Sequence, residues 1–162
     1  MIYWATLESA KETFDEVAWG KFAEHYKKDI KIKTMQLSKK FYRNDSCDRN
    51  VIKKIEIELG WVFPKDYVDF LLWSNGGEGA IGENYISLWR CEDIVQLNKD
   101  YGIQNYLTEN FVAFGTDGGG VCYAFDYRNS KTPKIVKCAL GDLDMNELIK
   151  VADTFTELLT NH

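Results

Sequence analysis

The chain has 162 residues, 45% of them hydrophobic and 28% charged, with only 2 Pro and 12 Gly, a composition that excludes a disordered or low-complexity protein and predicts one compact domain, 1–162. At this length folding buries roughly 70% of the unfolded surface, so neither a disulfide nor a metal is needed as a staple. The net charge of −5 excludes a general phosphate-binding surface and with it nucleic acid as a partner.

The N-terminal stretch MIYWATLESAKETFDE carries acids where a signal peptide needs a basic and then an apolar stretch, and no run approaches the ~18 apolar residues of a membrane span. The expectation is a cytoplasmic protein with no membrane contact. Leu7, Ala10, Phe14, Val17, Ala18, Phe22 and Tyr26 recur at three- and four-residue steps, the stripe of an amphipathic helix over 7–26. A basic, turn-poor segment follows, in which Ile30 and Ile32 alternate with lysines for one short strand at most. Residues 1–45 therefore read as a leading helix and a basic loop. Charge is uneven along the chain: residues 1–50 carry a net +2 and residues 51–162 a net −7.

A second helix is predicted over 48–59. Asp48 can cap it, Ile52, Ile55 and Leu59 line one face, and Gly60 stands where a left-handed C-cap residue is wanted. A third, over 64–74, begins at Pro64, which loses no needed donor there, and carries Asp66 in its positive first turn. Its core face is Tyr67, Phe70 and Leu71, and Asn75-Gly76-Gly77 ends it through residues that tolerate positive φ. After Gly79 the period changes. Short β-branched and aromatic runs at 85–89, 111–115, 121–127 and 134–139, bounded by Gly, Asn, Asp and Pro, read as strands, with a helix over 92–101 between the first two. The GTDGGG and RNSKTP turns join the last three into an antiparallel meander. Thr154 and Glu157 make a capping box ahead of Phe155, Leu158 and Leu159, so a final helix packs back on the sheet. The fold class is α+β: a single domain with helices packed on one face of a twisted, mainly antiparallel sheet.

Chemistry is sparse. The two histidines, His25 and His162, provide no Ser-His-Asp, Cys-His or H-E-x-x-H arrangement. The glycines of GTDGGG lead into the strand VCYAF rather than a helix, and no Lys follows them, so they make a hairpin turn and not a phosphate loop. Cys47, Cys91, Cys122 and Cys138 form no C-x-x-C pair and read as buried, reduced thiols. The neighbouring carboxylates Glu56 and Glu58, Glu92 and Asp93, and Asp142 and Asp144 would serve a hydrolase only if two converged in a cleft. No cofactor and no metal site is expected, and the protein reads as a non-enzyme. With 23 aromatic residues, more than a core needs, some Trp and Tyr remain for recognition.

The segment VIKKIEIELGWVFPKDYVDFLLWSNGG resembles the signature of the SUKH superfamily, which includes the Smi and Knr cell-wall-synthesis regulators: an isoleucine-bearing helix ending in Leu-Gly, then Pro-x-x-Tyr-x-x-Phe-Leu, then Asn-Gly-Gly. The match runs through Ile52, Glu56, Leu59, Gly60, Pro64, Tyr67, Phe70, Leu71, Asn75, Gly76 and Gly77. ISLWRCEDIVQLN, FVAFGTDGGGVCYAFD and VADTFTELL resemble later parts of the family, so the likeness covers about 48–160. It implies an α+β fold and, for bacterial members, immunity proteins that bind and neutralise a cognate toxin, often a nuclease or deaminase. For fungal members it implies regulatory or scaffolding proteins. Glu78, Glu83 and Asp117 lie beside glycines in segments read as free of the sheet. They are the candidate partner contacts, with the loops after Asn75 and at 115–120 as a rim, and their carboxylates are expected to reach solvent at little folding cost.

Overall fold

The structure, a computed structural model, describes residues 40–160; the chain divides at residues 39 and 40 into two units, and the described residues belong to the second. The helix expected over 7–26, the alternation at Ile30 and Ile32, His25 and His162 lie outside the described residues.

Seven strands form one antiparallel meander in chain order: β1 (Phe41–Arg43), β2 (Gly77–Ile81), β3 (Asn84–Leu88), β4 (Phe111–Thr116), β5 (Val121–Asp126), β6 (Lys134–Ala139) and β7 (Ile149–Ala152). The helices are α1 (Arg49–Leu59), α2 (Lys65–Trp73), α3 (Ile94–Asp100), α4 (Ile103–Leu107) and α5 (Phe155–Thr160). The α+β class and the antiparallel sheet agree with the sequence reading. Local signals act as expected: the Asp48 side chain accepts from the Asn50 N–H, and Gly60 closes α1 at φ 75°. At α5 the Thr154 hydroxyl accepts from the Glu157 N–H at 3.1 Å. The Asp153 N–H, one residue before the expected cap, donates to the Glu157 carboxylate at 2.8 Å. No helix of the described residues is long and apolar enough to cross a membrane.

Tyr67, Phe70 and Leu71 are all buried, and α2 with α5 forms a helical layer over one sheet face, whereas α1, expected to share that face, packs against α3 and the Cys91–Asp93 turn. Tyr67 meets Phe125 and Phe155 with ring centroids 5.0 and 4.9 Å apart, and Phe114 stacks on Phe125 at 4.3 Å. A register shift between Ala113 and Gly115 accommodates Phe114. The structure adds a cover on the opposite face that the sequence reading did not anticipate. Ile103 and Leu107 of α4 close over Phe111, Ala113, Cys122, Ala124, Val136 and Cys138, with Leu140, Leu143, Met145 and Leu148 around them. β4 is therefore buried on both faces. The expected helix over 92–101 is a 3-10 turn, Cys91–Asp93, followed by α3.

β3 accompanies β4 only at Ser87 and Leu88, after which the chain turns away and leaves the first half of β4 with an open edge. Asn98, on α3 and 1% exposed, closes it. Its Oδ1 accepts from the Ala113 N–H at 2.9 Å, and its Nδ2 donates to the Ala113 carbonyl at 2.8 Å. Gln104 Nε2 donates to the Phe111 carbonyl at 2.7 Å and to Asn98 Oδ1 at 3.0 Å. Two side-chain amides thus stand in for a neighbouring strand, which buried backbone groups require.

Three strands and a helix escape the sequence patterns. β1 has three residues inside a basic stretch, β7 has four, and α4 has five. β2 carries glycines at positions 77 and 79, contrary to strand propensity, because a Cβ at Gly77 would lie 2.8 Å from the Phe41 ring and one at Gly79 2.7 Å from the Phe41 Cα. Replacing Asn98 with Leu leaves both backbone groups of Ala113 unpaired in the interior, and we expect a loss of about 3 kcal/mol, read as a lower urea midpoint. The Tyr67 hydroxyl has no hydrogen-bond partner among the described residues. Tyr67→Phe is therefore expected to keep full stability or gain up to about 1 kcal/mol in the same measurement.

Candidate partner-binding surface

The signature residues are occupied by the fold. Ile52 is 2% exposed. Glu56 Oε1 accepts from the Phe63 N–H at 2.7 Å, bracing the α1–α2 connection, and burial, partly offset by that bond, raises its carboxyl above the usual range. Asn75 is a junction rather than a positive-φ helix terminator: Gly76 and Gly77 have positive φ, and Asn75 does not. α2 already ends at Trp73, with Ser74 extended. Asn75 Oδ1 accepts from the Cys91 N–H at 2.7 Å, its Nδ2 donates to Glu92 Oε2 at 2.6 Å, and its N–H donates to the Asp45 carbonyl at 2.8 Å. Asn75 is 8% exposed, so the segment after it is not a rim loop as expected. It enters β2 directly.

The remaining candidate chemistry is likewise structural. All four cysteines are buried and free. The sulfur–sulfur contact with Cys47, followed by burial, pushes the Cys91 thiol far up, and the same contact holds Cys47 below its ordinary value against the opposing effect of burial. Burial drives Cys122 up to about 12, with the Cys138 thiol beside it; a thiol held protonated is a poor nucleophile. Asp144 Oδ1 caps the 3-10 turn Met145–Glu147 through the Asn146 N–H at 2.8 Å, and Glu92 accepts from Asn75.

The three acidic candidates fall in different settings. Glu83 is exposed in the turn between β2 and β3. Asp117 is half-buried, and its Oδ1 accepts from the Gly119 and Val121 N–H groups at 2.9 and 3.2 Å. Its carboxylate therefore builds the β4–β5 turn, contrary to the expectation of a freely projecting side chain. Glu78 is a correction of another kind: it lies within β2, held by the sheet on both sides, with Tyr42 and Ser87 as its cross-strand partners. Its side chain is nevertheless exposed. The alternation of β2 turns Gly77, Gly79 and Ile81 inward and Glu78 outward.

Sequence reasoning missed the residues around Glu78. Tyr42 is 79% exposed and Tyr85 43%, and the nearby Glu78 carboxylate, as an acceptor, raises the Tyr85 hydroxyl. The Tyr85 ring abuts Gly118, where a Cβ would approach it to 2.7 Å. Tyr85 thereby lies between Glu78 and the turn holding Asp117. The inward-facing Phe41, packed on Phe70 at 5.9 Å and Trp73 at 6.5 Å, is what sets Tyr42 outward. Only the period-two alternation of FYR hinted at this.

Residues 46–161 match the profile of the SMI1/KNR4 family (SUKH-1). The chain belongs to this family. No curated protein matches it in sequence. The family match covers the signature junction, the whole of the sheet beyond β1 and α5, so Tyr42 alone of the exposed cluster stands outside it.

The hydrogen bond to the Glu78 carboxylate, followed by smaller effects of burial and of the neighbouring charge, holds the Tyr85 hydroxyl above the ordinary tyrosine value. A carboxylate acceptor favours the protonated phenol, so its removal favours the phenolate. Glu78→Gln is expected to lower the Tyr85 titration midpoint toward the ordinary value, measured by the pH dependence of its ring carbon resonances.

Proposed function

We propose that this member of the SMI1/KNR4 family is a non-catalytic protein-binding domain, an immunity protein that neutralises a bacterial toxin of the nuclease or deaminase type in the cytoplasm of the producing cell. The observation that carries the reading is the division of labour in the chain. The side chains of the family signature are engaged in burial, capping and backbone hydrogen bonds, and the outer face of β1–β3 presents Tyr42, Glu78 and Tyr85 to solvent. A binding module needs a rigid scaffold with a separate exposed surface, and that is the arrangement here. The net charge of −7 over residues 51–162 favours a basic partner by attracting it at long range and raising the encounter rate. A toxin that acts on nucleic acid has such a basic surface.

Co-expression with the product of the neighbouring gene tests the proposal. The expected result is restored growth and a complex that co-purifies. A neighbouring gene product that is harmless to the cell, with a stable complex to a non-toxic protein instead, assigns the regulatory or scaffolding role. A hydrolase acting through its carboxylates would restore growth only by consuming a substrate, leaving no complex.

A further inference from the structure

On β1–β3 the two sheet faces are treated differently. Phe41, Ile81, Ile86 and Leu88 are buried, whereas Tyr42, Glu78 and Tyr85 on the other face remain exposed. Tyr42 stands directly across from Glu78, and Ser87 flanks Glu78 on its other side. Glu78 forms no ion pair among the described residues. Tyr85 lies diagonal to Glu78 on the same face, since Glu78 pairs with Ser87 and Ala80 with Tyr85, and its ring abuts Gly118. Tyr42 has no ring partner among the described residues and keeps both faces open at 79% exposure.

We propose that Tyr42, Glu78 and Tyr85 form a receptor for an arginine side chain presented by a basic partner protein. This rests on the protein-binding reading above and names the group that the partner supplies. The guanidinium donates two parallel N–H bonds to the Glu78 carboxylate, a geometry that planar arginine matches and lysine does not. With the carboxylate engaged in that way, the cation lies beside the Tyr42 ring and gains a cation–π contact. The Tyr85 hydroxyl, diagonal to Glu78, donates to a remaining lone pair of the carboxylate once the guanidinium is in place. Ser87 offers a hydroxyl to the outer guanidinium nitrogens. A phosphate-bearing partner is disfavoured at this place, because Glu78 repels it.

The test is an NMR titration of the full chain at low ionic strength with the capped peptide acetyl-Gly-Arg-Gly-amide, alongside its lysine and citrulline counterparts. The arginine peptide is expected to shift the amides of Tyr42, Glu78, Tyr85 and Ser87 saturably, with a dissociation constant of about 1 mM. Glu78→Gln is expected to weaken binding about tenfold, and Tyr42→Ala about threefold; both side chains are exposed, so the variants keep the wild-type spectrum elsewhere. The lysine peptide should bind several-fold more weakly and the neutral citrulline peptide not at all. Equal shifts from citrulline, saturable shifts that map to another surface, no saturable shift, or an affinity unmoved by Glu78→Gln would overturn the receptor. The immunity role is read separately. Arginine binding here in a protein that rescues no cell leaves the receptor standing and removes that role. Undiminished rescue by the Glu78→Gln, Tyr42→Ala double variant keeps the role and overturns the receptor.

Discussion

The structure depends on how the open edge of β4 is closed. A strand buried on both faces cannot leave N–H and C=O groups unpaired along its edge, yet β3 departs after Leu88. The Asn98 amide reproduces the donor and acceptor of a strand residue toward Ala113, and Gln104 extends the substitution to Phe111. That exchange ties α3 to the sheet edge. α1 in turn packs against α3 and the Cys91–Asp93 turn, and the same turn receives Asn75 from the end of α2. Helices separated by tens of residues are thus fixed to one strand through a short series of amide hydrogen bonds.

The family signature belongs to this frame. Asn75 joins three chain segments through its backbone and side chain, and Glu56 braces the connection between α1 and α2. Such positions determine where β2 begins and which of its residues turn outward. The exposed cluster follows as a consequence: with Gly77 and Gly79 pressed against β1, Glu78 must point to the opposite face, beside Tyr42. The signature does not contain the cluster, but it positions it. The motif therefore identifies the fold and says little about which partner is bound.

The Asp117 and Glu78 outcomes share a cause. Both were read from the sequence as carboxylates beside glycines, and a glycine-rich context has two physical origins. Around Asp117 the glycines relax a turn, and the carboxylate is recruited to bond the N–H groups of Gly119 and Val121. Around Glu78 they permit close approach of two strands, so the residue sits in the sheet. Composition alone does not separate these cases, because the approaching atoms come from Lys40 and Phe41, more than thirty residues away.

What the sequence determined by itself was everything set within about one turn of chain: the caps of α1 and α5 at Asp48 and Thr154, the left-handed stop at Gly60, the buried face Tyr67, Phe70 and Leu71, and the strands from β3 to β6. These depend on periodicity and on hydrogen bonds between near neighbours, which propensity captures. Only the tertiary structure decided the short strands β1, β2 and β7, the second cover provided by α4, and the meeting of Tyr42, Glu78 and Tyr85. Each of those rests on contacts between residues distant in the chain, and three to five residues carry too little pattern to announce a partner that only folding supplies.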